Sequence, residues 1–333
     1  MSMIPLLEVR EVHRRFSRGP TMLDRLRGKK PPVLHAVSGV SLTVMPGEVL
    51  GLVGESGCGK STLGRLASGL MKPSDGDVLY RGESLESLRG AKQRSWRRAV
   101  QMVFQDPYAS LNPRLRVDRL IIEAPVYHGL ITASRRDERV TELLEAVGLP
   151  RDVAKRYPHE FSGGQRQRIG IARALAMQPE LIVCDEPVAA LDVSVQAQVL
   201  NLLISLRKSY SLSYLFISHD LGVMRFLCDR IAVMYLGKIV EIGSAEEVLS
   251  NPRHPYTQAL VAAVPSATQR GSAPPVRGEI PSPMAPPPGC RFNPRCPFAI
   301  PRCKEVVPEL EAISEREQRM VACIRSKEVF VTQ

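Results

Sequence analysis

Short apolar runs that end at turn residues recur along the first 260 residues of the chain. Runs of this kind, bounded by glycine, proline or polar residues, are typical of buried strands. They predict strands over residues 6–9, 37–44, 49–53, 181–184, 214–218, 231–235 and 239–242. The last two runs flank Gly237 and predict a hairpin. Three other runs end at residues capable of binding or catalysis, namely Gly54, Asp185 and His219.

Apolar residues at helical spacing alternate with these strands. Residues 60–70 and 192–208 have the period of a helix, and so do residues 140–147, after which Gly148 is expected to cap the helix. The pair Asp75-Gly76 predicts a turn. Strands that alternate with helices indicate an α/β core, with a more purely β beginning and a more helical region from about residue 107 to 165.

The composition changes near residue 265, where a proline-rich segment begins. Prolines of this density make a stiff, extended linker. Its prolines are Pro274, Pro275, Pro281, Pro283, Pro286, Pro287 and Pro288. Four cysteines follow, with five, six and nineteen residues between successive members. We therefore expect a main domain over residues 5–260 and a small C-terminal extension over residues 261–333.

Charge and hydropathy narrow the class of protein. No apolar run approaches the roughly 18 residues of a membrane span, and the first residues lack the pattern of a signal peptide, so we expect a soluble cytosolic protein. The formal net charge is +11, concentrated around residues 14–30 and 89–98. These segments form a solvated surface, or else bind nucleic acid or an anionic membrane. Aromatic residues are only 5% of the chain, which argues against single-strand binding by stacking.

Residues 54–61 match the pattern of a phosphate-binding loop. Its glycines let backbone N–H groups wrap phosphates, and the predicted helix at Lys60 points its positive end at them. Lys60 is expected to reach the β- and γ-phosphates, while Ser61 is expected to bind Mg²⁺. A chance glycine-rich turn is the alternative, which the preceding strand and following helix disfavour. The expected nucleotide contacts are Gly54, Glu55, Ser56, Gly57, Cys58, Gly59, Lys60, Ser61 and Thr62.

The strand ending at Asp185 supplies acidic groups. Asp185 is expected to hold the magnesium shell and Glu186 to act as the base that polarises an attacking water. Alone, such a pair is more often a helix cap or a turn. Gln105 and His219 also end apolar runs. Gln105 is a candidate ligand of Mg²⁺ or of the water, and His219 is either structural or faces the ligand crevice of an open sheet.

A second glycine-rich turn, Phe161-Ser162-Gly163-Gly164-Gln165, lies far downstream. Together with the phosphate loop, Gln105, Asp185-Glu186 and His219, in this order, it resembles the ATPase subunit of an ABC transporter over about residues 5–260. This implies a RecA-like α/β P-loop ATPase core, with an antiparallel β subdomain and a helical signature subdomain at about residues 107–165.

The resemblance also implies roles in a head-to-tail pair of ATPase subunits. The nucleotide of the opposite subunit would contact Ser162, Gly163, Gly164 and Gln165, and Asp192 would lie in the loop that crosses the dimer interface. His219 would contact the γ-phosphate. Phe16 would stack on adenine, although a role in the core is an alternative for this residue.

Further motifs are similar to those of ATPases of dipeptide and oligopeptide importers, closest to the F-type subunit. They are residues 104–113, residues 192–198, residues 251–257 and the end segment from Pro286 to Cys323. This implies a second, homologous ATPase subunit, two transmembrane permease subunits and an external peptide-binding protein. It also implies a peripheral position at the cytoplasmic face of the cell (inner) membrane. Import of nickel or another small solute is the alternative within this group. A non-transport ABC ATPase acting on nucleic acid or ribosomes is disfavoured, because the chain has neither a long coiled coil nor a second ATPase domain.

The spacing of the four cysteines does not match that of common zinc sites or ferredoxins. A cytosolic chain is not expected to form structural disulfides, so the thiolates hold zinc or an iron–sulfur cluster, or are unrelated buried residues. Some peptide-importer ATPases carry a [4Fe–4S] cluster in this extension. The resemblance therefore implies a structural cluster on Cys290, Cys296, Cys303 and Cys323, with Zn²⁺ as the alternative.

Overall fold

The computed structural model describes residues 4–17, 19, 31–263, 278–313 and 319–326. Two of the linker prolines, Pro274 and Pro275, lie outside the described residues, and so does most of the basic segment 14–30. The described strands are β1 (Leu7–Ser17), β2 (Val33–Val44), β3 (Val49–Val53), β4 (Asp75–Tyr80), β5 (Glu83–Ser84), β6 (Val100–Val103), β7 (Leu181–Asp185), β8 (Ser213–Ser218), β9 (Arg230–Tyr235), β10 (Lys238–Ser244), β11 (Glu311–Ala312) and β12 (Met320–Val321).

Helices connect most of these strands. They are α1 (Lys60–Ala67), α2 (Gly90–Ala99), α3 (Pro107–Ser110), α4 (Val117–Tyr127), α5 (Arg136–Ala146), α6 (Gly163–Ala176), α7 (Val193–Tyr210), α8 (Leu221–Leu227), α9 (Ala245–Ser250) and α10 (Pro255–Ala262). Short 3₁₀ helices occupy Ala133–Arg135, Arg151–Lys155, Pro158–Glu160 and Pro301–Lys304. The predicted α/β class is confirmed.

One of two compact units contains three parallel strands and most of the helices. It is formed by the described residues of Met1–Leu7, Val44–Val49 and Tyr80–Ser218. Strand β7 pairs with β6 on one side and with β8 on the other, both in parallel. Strands β7 and β8 are buried along their whole length, as their unbroken apolar runs require. Helices α4, α5 and α6 pack against one another. Because parallel strands end at one edge, the sheet collects the polar residues that follow β6 and β7.

The other unit is formed by the described residues of Glu8–Thr43, Leu50–Leu79 and His219–Gln333. In it, β3 pairs in parallel with β9, and β10 returns antiparallel to β9. The predicted hairpin is confirmed, with Gly237 at a φ of 80° in its turn. Strand β12, from the C-terminal extension, adds antiparallel to β10, and β11 adds antiparallel to β12. The C-terminal extension is therefore joined to this sheet by strand pairing. Strands β2, β1 and β4 form a separate sheet in that order.

Two local predictions differ from the structure. Asp75 and Gly76 do not form a turn but begin strand β4. Gly76 has a φ of 80°, and a Cβ placed on it would lie 2.3 Å from the carbonyl oxygen of Glu11, so the glycine is needed for a close approach to β1 rather than for a reversal. The predicted helix over residues 60–70 ends earlier, at Ala67.

Candidate functional site

The phosphate loop, residues 54–61, connects β3 to α1 in a shape that only glycine permits at two positions. Gly59 has a φ of 109°, and a Cβ there would lie 2.2 Å from the carbonyl oxygen of Ala36. A Cβ on Gly54 would lie 2.2 Å from the carbonyl oxygen of Met234. The loop thus packs closely against the backbone of β2 and β9. Its free edge is formed by Ser56 and Gly57, which are exposed.

Lys60 begins α1 and folds back over this loop. Its buried ammonium group donates to the carbonyl oxygens of Gly54, at 2.8 Å, and Glu55, at 3.1 Å. Behind the loop, the amide of Gly237 donates to the carbonyl oxygen of Cys58 at 2.8 Å. Burial raises the pKa of the Cys58 thiol, so the thiol stays neutral. The loop therefore combines an exposed edge at Ser56 and Gly57 with a single lysine, which is an anion-binding arrangement.

Gln105 and Glu186 meet at the carboxyl edge of the parallel strands β6 and β7. The amide of the Gln105 side chain donates to a carboxylate oxygen of Glu186 at 3.2 Å. Asp185, the last residue of β7, is 2% exposed, whereas Glu186 is partly exposed. Glu186 has a φ of 45°, and its amide donates to the carbonyl oxygen of Ile217 at 3.0 Å. A glutamate in this region of φ is strained, and such strain clusters at functional sites.

The signature turn, residues 161–165, leads directly into α6. Ser162 is the N-cap: its hydroxyl accepts from the amide of Gln165 at 3.4 Å, and the Gln165 side chain accepts from the amide of Ser162 at 3.0 Å. Both side chains are exposed. Gly164 is different, because it is buried and a Cβ on it would lie 2.3 Å from Cγ1 of Val195. Gly164 is needed for the packing of α6 on α7, whereas Ser162 and Gln165 face outward.

Arginines of α6 hold the turn that follows Gln105, which sequence reasoning did not anticipate. The guanidinium carbon of Arg166 lies 3.4 Å from the ring centroid of Tyr108. Arg173 donates to the carbonyl oxygen of Ser110 at 2.5 Å. The helix that begins at the signature turn is thus attached to α3. Alternate basic residues in a helix give no sequence signal for such a contact.

The other predicted residues are placed as follows. Asp192 is exposed and is the N-cap position of α7, and His219 is exposed directly after β8. Phe16 lies near the end of β1, half-buried, with the guanidinium carbon of Arg14 4.7 Å from its ring centroid. This position leaves both the stacking role and the core role of Phe16 as predictions.

The four C-terminal cysteines converge on one cavity. They line it together with His254 and Phe292, among other residues. The amide of Cys290 donates to the carbonyl oxygen of Cys303 at 2.8 Å. Burial raises the pKa of the Cys290 and Cys296 thiols to about 11. Across the described residues, no group of three or more His, Cys, Asp or Glu side chains is arranged to hold a metal ion. The expected metal site is therefore a prediction that rests on the shared cavity and on the chemistry of the thiols.

Comparison with known proteins decides the family. Residues 37–189 match the ABC transporter family, and residues 240–303 match the family described as oligopeptide/dipeptide transporter, C-terminal region. The chain is 51% identical to the oligopeptide transport ATP-binding protein AppF of Bacillus subtilis over 96% of both chains. It is also 51% identical to the probable peptide ABC transporter ATP-binding protein y4tS of Sinorhizobium fredii, over 88% of this chain and 83% of that protein. The chain belongs to the ATP-binding subunits of ABC transporters.

A solved ABC cassette agrees with this assignment. The dimeric post-hydrolysis structure of the ATP-binding cassette MJ0796, bound to ADP and phosphate, superposes with a TM-score of 0.62 at 27% identity. It covers 72% of this chain and 98% of that one. The predicted ABC-type ATPase fold and the ATPase activity are thereby confirmed. None of the described helices of this ABC subunit has the length and apolar character needed to cross a membrane.

Proposed function

We propose that this ABC subunit hydrolyses ATP to power the import of di- and oligopeptides across the cytoplasmic membrane. The observation that carries the proposal is the match of residues 240–303 to the oligopeptide/dipeptide transporter C-terminal region. The MJ0796 cassette accounts for 72% of this chain, so the chain carries more than a cassette. AppF and y4tS, whose names refer to oligopeptide or peptide transport, match it over most of their lengths.

In this proposal the phosphate loop holds the nucleotide. The exposed amides around Ser56 and Gly57 wrap the phosphates, and Lys60 exchanges its two carbonyl acceptors for phosphate oxygens. The Ser61 hydroxyl and the Asp185 carboxylate serve the magnesium shell, with Gln105 as a further ligand. The divisions of the chain follow the same proposal, with the ATPase domain over residues 5–260, its helical subdomain at about 107–165 and the extension over 261–333.

Glu186 is the proposed base. Its hydrogen bond from Gln105 and its strained backbone both support this role, because they hold the carboxylate in one orientation. His219 is the proposed sensor of the γ-phosphate, and Phe16 the proposed partner of the adenine ring. General-base catalysis by a carboxylate then needs no covalent intermediate, since water is the nucleophile.

Pairing of two ATPase subunits completes the proposal. The outward-facing Ser162 and Gln165 at the start of the 14-residue helix α6 suit binding of phosphates from a partner subunit. Gly164 keeps the backbone of this turn close to α7, while Gly163 faces Leu191 just before that helix. Asp192 lies at the start of the same helix. We expect the partner to be a second, homologous ATPase chain. Two transmembrane permease subunits and an external peptide-binding protein complete the complex at the cytoplasmic face of the inner membrane.

Uptake by intact cells tests the cargo. A strain without this chain is expected to lose accumulation of a labelled oligopeptide, and the wild-type chain but not the Lys60→Ala variant is expected to restore it. Labelled nickel is measured in parallel. Unchanged peptide uptake combined with lost nickel uptake would contradict the peptide assignment and support import of a small solute.

The extension is proposed to hold a [4Fe–4S] cluster on Cys290, Cys296, Cys303 and Cys323. What supports this is that all four thiols, which are soft ligands suited to iron–sulfur clusters, line one cavity. The cluster, when bound, would cross-link segments too short to build a core of their own. Protein purified without oxygen is expected to contain iron and sulfide and to be brown, and the Cys303→Ser variant to lose both. Stoichiometric zinc without iron would reject the cluster.

A further inference from the structure

The C-terminal extension reaches the phosphate loop through one arginine. Arg295 Nη1 lies 2.8 Å from Oε2 of Glu55, and Nη2 lies 3.1 Å from Oε1, so the guanidinium binds the carboxylate with two parallel hydrogen bonds. The Arg295 side chain is 9% exposed and that of Glu55 is 27% exposed. Such two-pronged pairing fixes the orientation of both groups. The side chain of Glu55 is therefore turned to the extension.

The same loop residue is held by its backbone. The amide of Glu55 donates to the hydroxyl of Tyr256 at 2.8 Å. Tyr256 lies in the first turn of α10, whose N-cap is His254: the ring nitrogen Nδ1 of His254 accepts from the amide of Tyr256 at 3.1 Å. Burial lowers the pKa of His254 to about 3, so its ring is neutral and can accept this bond. Two separate segments therefore bind Glu55: Arg295 binds its side chain and Tyr256 binds its amide.

Close aromatic packing holds Arg295 in place. Arg295 lies beside an aromatic cluster of Tyr235, Tyr256 and Phe292, whose ring centroids are 4.6 to 5.5 Å apart. The guanidinium carbon lies 5.8 Å from the ring centroid of Tyr235 and 6.0 Å from that of Phe292. All three rings are at most 1% exposed. Arg295 therefore has little freedom to leave Glu55.

The pairing has an electrostatic consequence for nucleotide binding. Glu55 places a carboxylate in the loop that is proposed to bind phosphates, and nearby like charges repel each other. Arg295 neutralises that carboxylate. It also fixes the loop before nucleotide arrives, which lowers the ordering cost of binding.

We infer that Arg295 is a positioning residue for ATP, which acts through Glu55 by orienting the phosphate loop and cancelling its negative charge. The C-terminal extension then forms part of the nucleotide-binding apparatus of its own subunit. This inference rests on ATP binding at the phosphate loop, and on neither the identity of the cargo nor a metal in the extension.

Direct titration with Mg-ATP tests the inference in full-length protein carrying Glu186→Gln, which keeps the nucleotide intact. In that background the single variants are Arg295→Gln, Arg295→Lys and Glu55→Gln. The double variants are Arg295→Gln/Glu55→Gln and Arg295→Lys/Glu55→Gln. The control is Arg302→Gln, which changes an exposed arginine of the same extension. Thermal unfolding without nucleotide is recorded for each, so that lost binding is separated from lost folding. If Arg295→Gln does not fold, Arg295→Lys carries the comparison.

We expect Arg295→Gln to raise the Kd for Mg-ATP by about tenfold. Arg295→Lys should give a smaller rise, because lysine keeps the charge but not the fork. The Arg295→Gln/Glu55→Gln double variant should bind ATP more tightly than Arg295→Gln alone, since it removes the uncompensated carboxylate. Arg302→Gln should bind as the parent does.

In otherwise wild-type protein, Arg295→Gln should raise the KM for ATP and leave kcat within about twofold, since the binding that is lost is common to the ground state and the transition state. An unchanged Kd in Arg295→Gln would overturn the inference. A raised Kd in Arg295→Gln that adding Glu55→Gln fails to reduce would also overturn it, because Arg295 would then support the fold without acting through Glu55. For Arg295→Lys with the same Glu55→Gln partner, the same two outcomes decide.

Discussion

At Glu186 the backbone adopts a φ of 45° while the side chain accepts a hydrogen bond from Gln105. The strained backbone is held by a hydrogen bond from the amide of Glu186 to the carbonyl oxygen of Ile217 on the neighbouring strand β8. A residue that merely ended a strand would gain nothing from this conformation. The geometry therefore favours a role that depends on where the carboxylate points, as the proposed general base requires.

Replacing the carboxylate of Glu186 tests this role. Glu186→Gln keeps the size and the hydrogen-bonding ability of the side chain but cannot accept a proton. We expect ATP binding to persist and turnover to fall by at least about 100-fold, the lower end of what general-base catalysis contributes. Steady-state phosphate release and ATP titration measure the two quantities.

Glu180→Gln is the matched control, because Glu180 precedes the same strand at its opposite end and its side chain is 41% exposed. Its turnover should be unchanged. Turnover of Glu186→Gln near that of wild type would remove Glu186 as the base.

At the scale of elements, α6 links the signature turn to α3 and α7. Arg166 and Arg173 contact α3, while Gly164 brings the helix close to Val195 on α7. The glycine pair of the signature turn is therefore not uniform. Gly164 is a packing residue, even if the turn as a whole binds the nucleotide of a partner.

A methyl group at Gly164 should force α6 and α7 apart. Gly164→Ala is expected to lower the free energy of unfolding by about 1–3 kcal/mol, the usual cost of overpacking. The midpoint of urea denaturation measures the change. Adding Val195→Ala should recover part of it, because Cγ1 of Val195 is the atom that the new Cβ would meet.

Gly170→Ala in the same helix is the control. A Cβ at Gly170 meets no atom within 4 Å, so this substitution should stabilise the protein by about 0.5–1 kcal/mol through the better helix propensity of alanine. Equal effects of the two substitutions would show that crowding against Val195 is not the cause.

At the scale of the whole molecule, the C-terminal extension is attached to the ATPase sheet by strands and by a buried ion pair. Glu241 on β10 is 0% exposed and accepts hydrogen bonds from the amides of Arg253 and His254. Arg319, 3% exposed, binds the same carboxylate from the C-terminal segment that continues into β12. One carboxylate thereby joins β10, the start of α10 and the end of the chain.

Removing the arginine should leave a buried, unpaired charge. Arg319→Met is expected to lower the free energy of unfolding by about 3–5 kcal/mol, as breaking a buried pair does. Chemical denaturation followed by circular dichroism measures it. Arg81→Met is the control, since the Arg81–Glu180 pair is 59% and 41% exposed and should contribute at most about 1 kcal/mol. A loss from Arg319→Met as small as this would mean that Glu241 is stabilised without Arg319.

Local pattern predicted much of the fold and the principal candidate residues. The apolar runs before Gly54, Asp185 and His219 are β3, β7 and β8, because a fully buried strand needs an unbroken apolar segment. Both Gln105 and Glu186 were named as candidates, but the hydrogen bond between them was not predicted. The two residues are 81 positions apart and meet only because they follow neighbouring parallel strands. The turn predicted at Asp75-Gly76 was wrong, since a glycine next to aspartate marks a turn and a close strand approach equally well.

By itself, the sequence determined where seven of the described strands and three of the described helices lie, where the phosphate loop lies and which family the motifs resemble. These properties depend on neighbouring residues, whose spacing is visible in the chain. Only the tertiary structure decided that Arg295 binds Glu55, 240 residues away, that Arg319 binds Glu241 and that Gly164 meets Val195. The physical reason is that charge pairing and close packing between distant segments have no period along the chain. They arise only when the folded strands and helices bring those side chains within a few ångströms of each other.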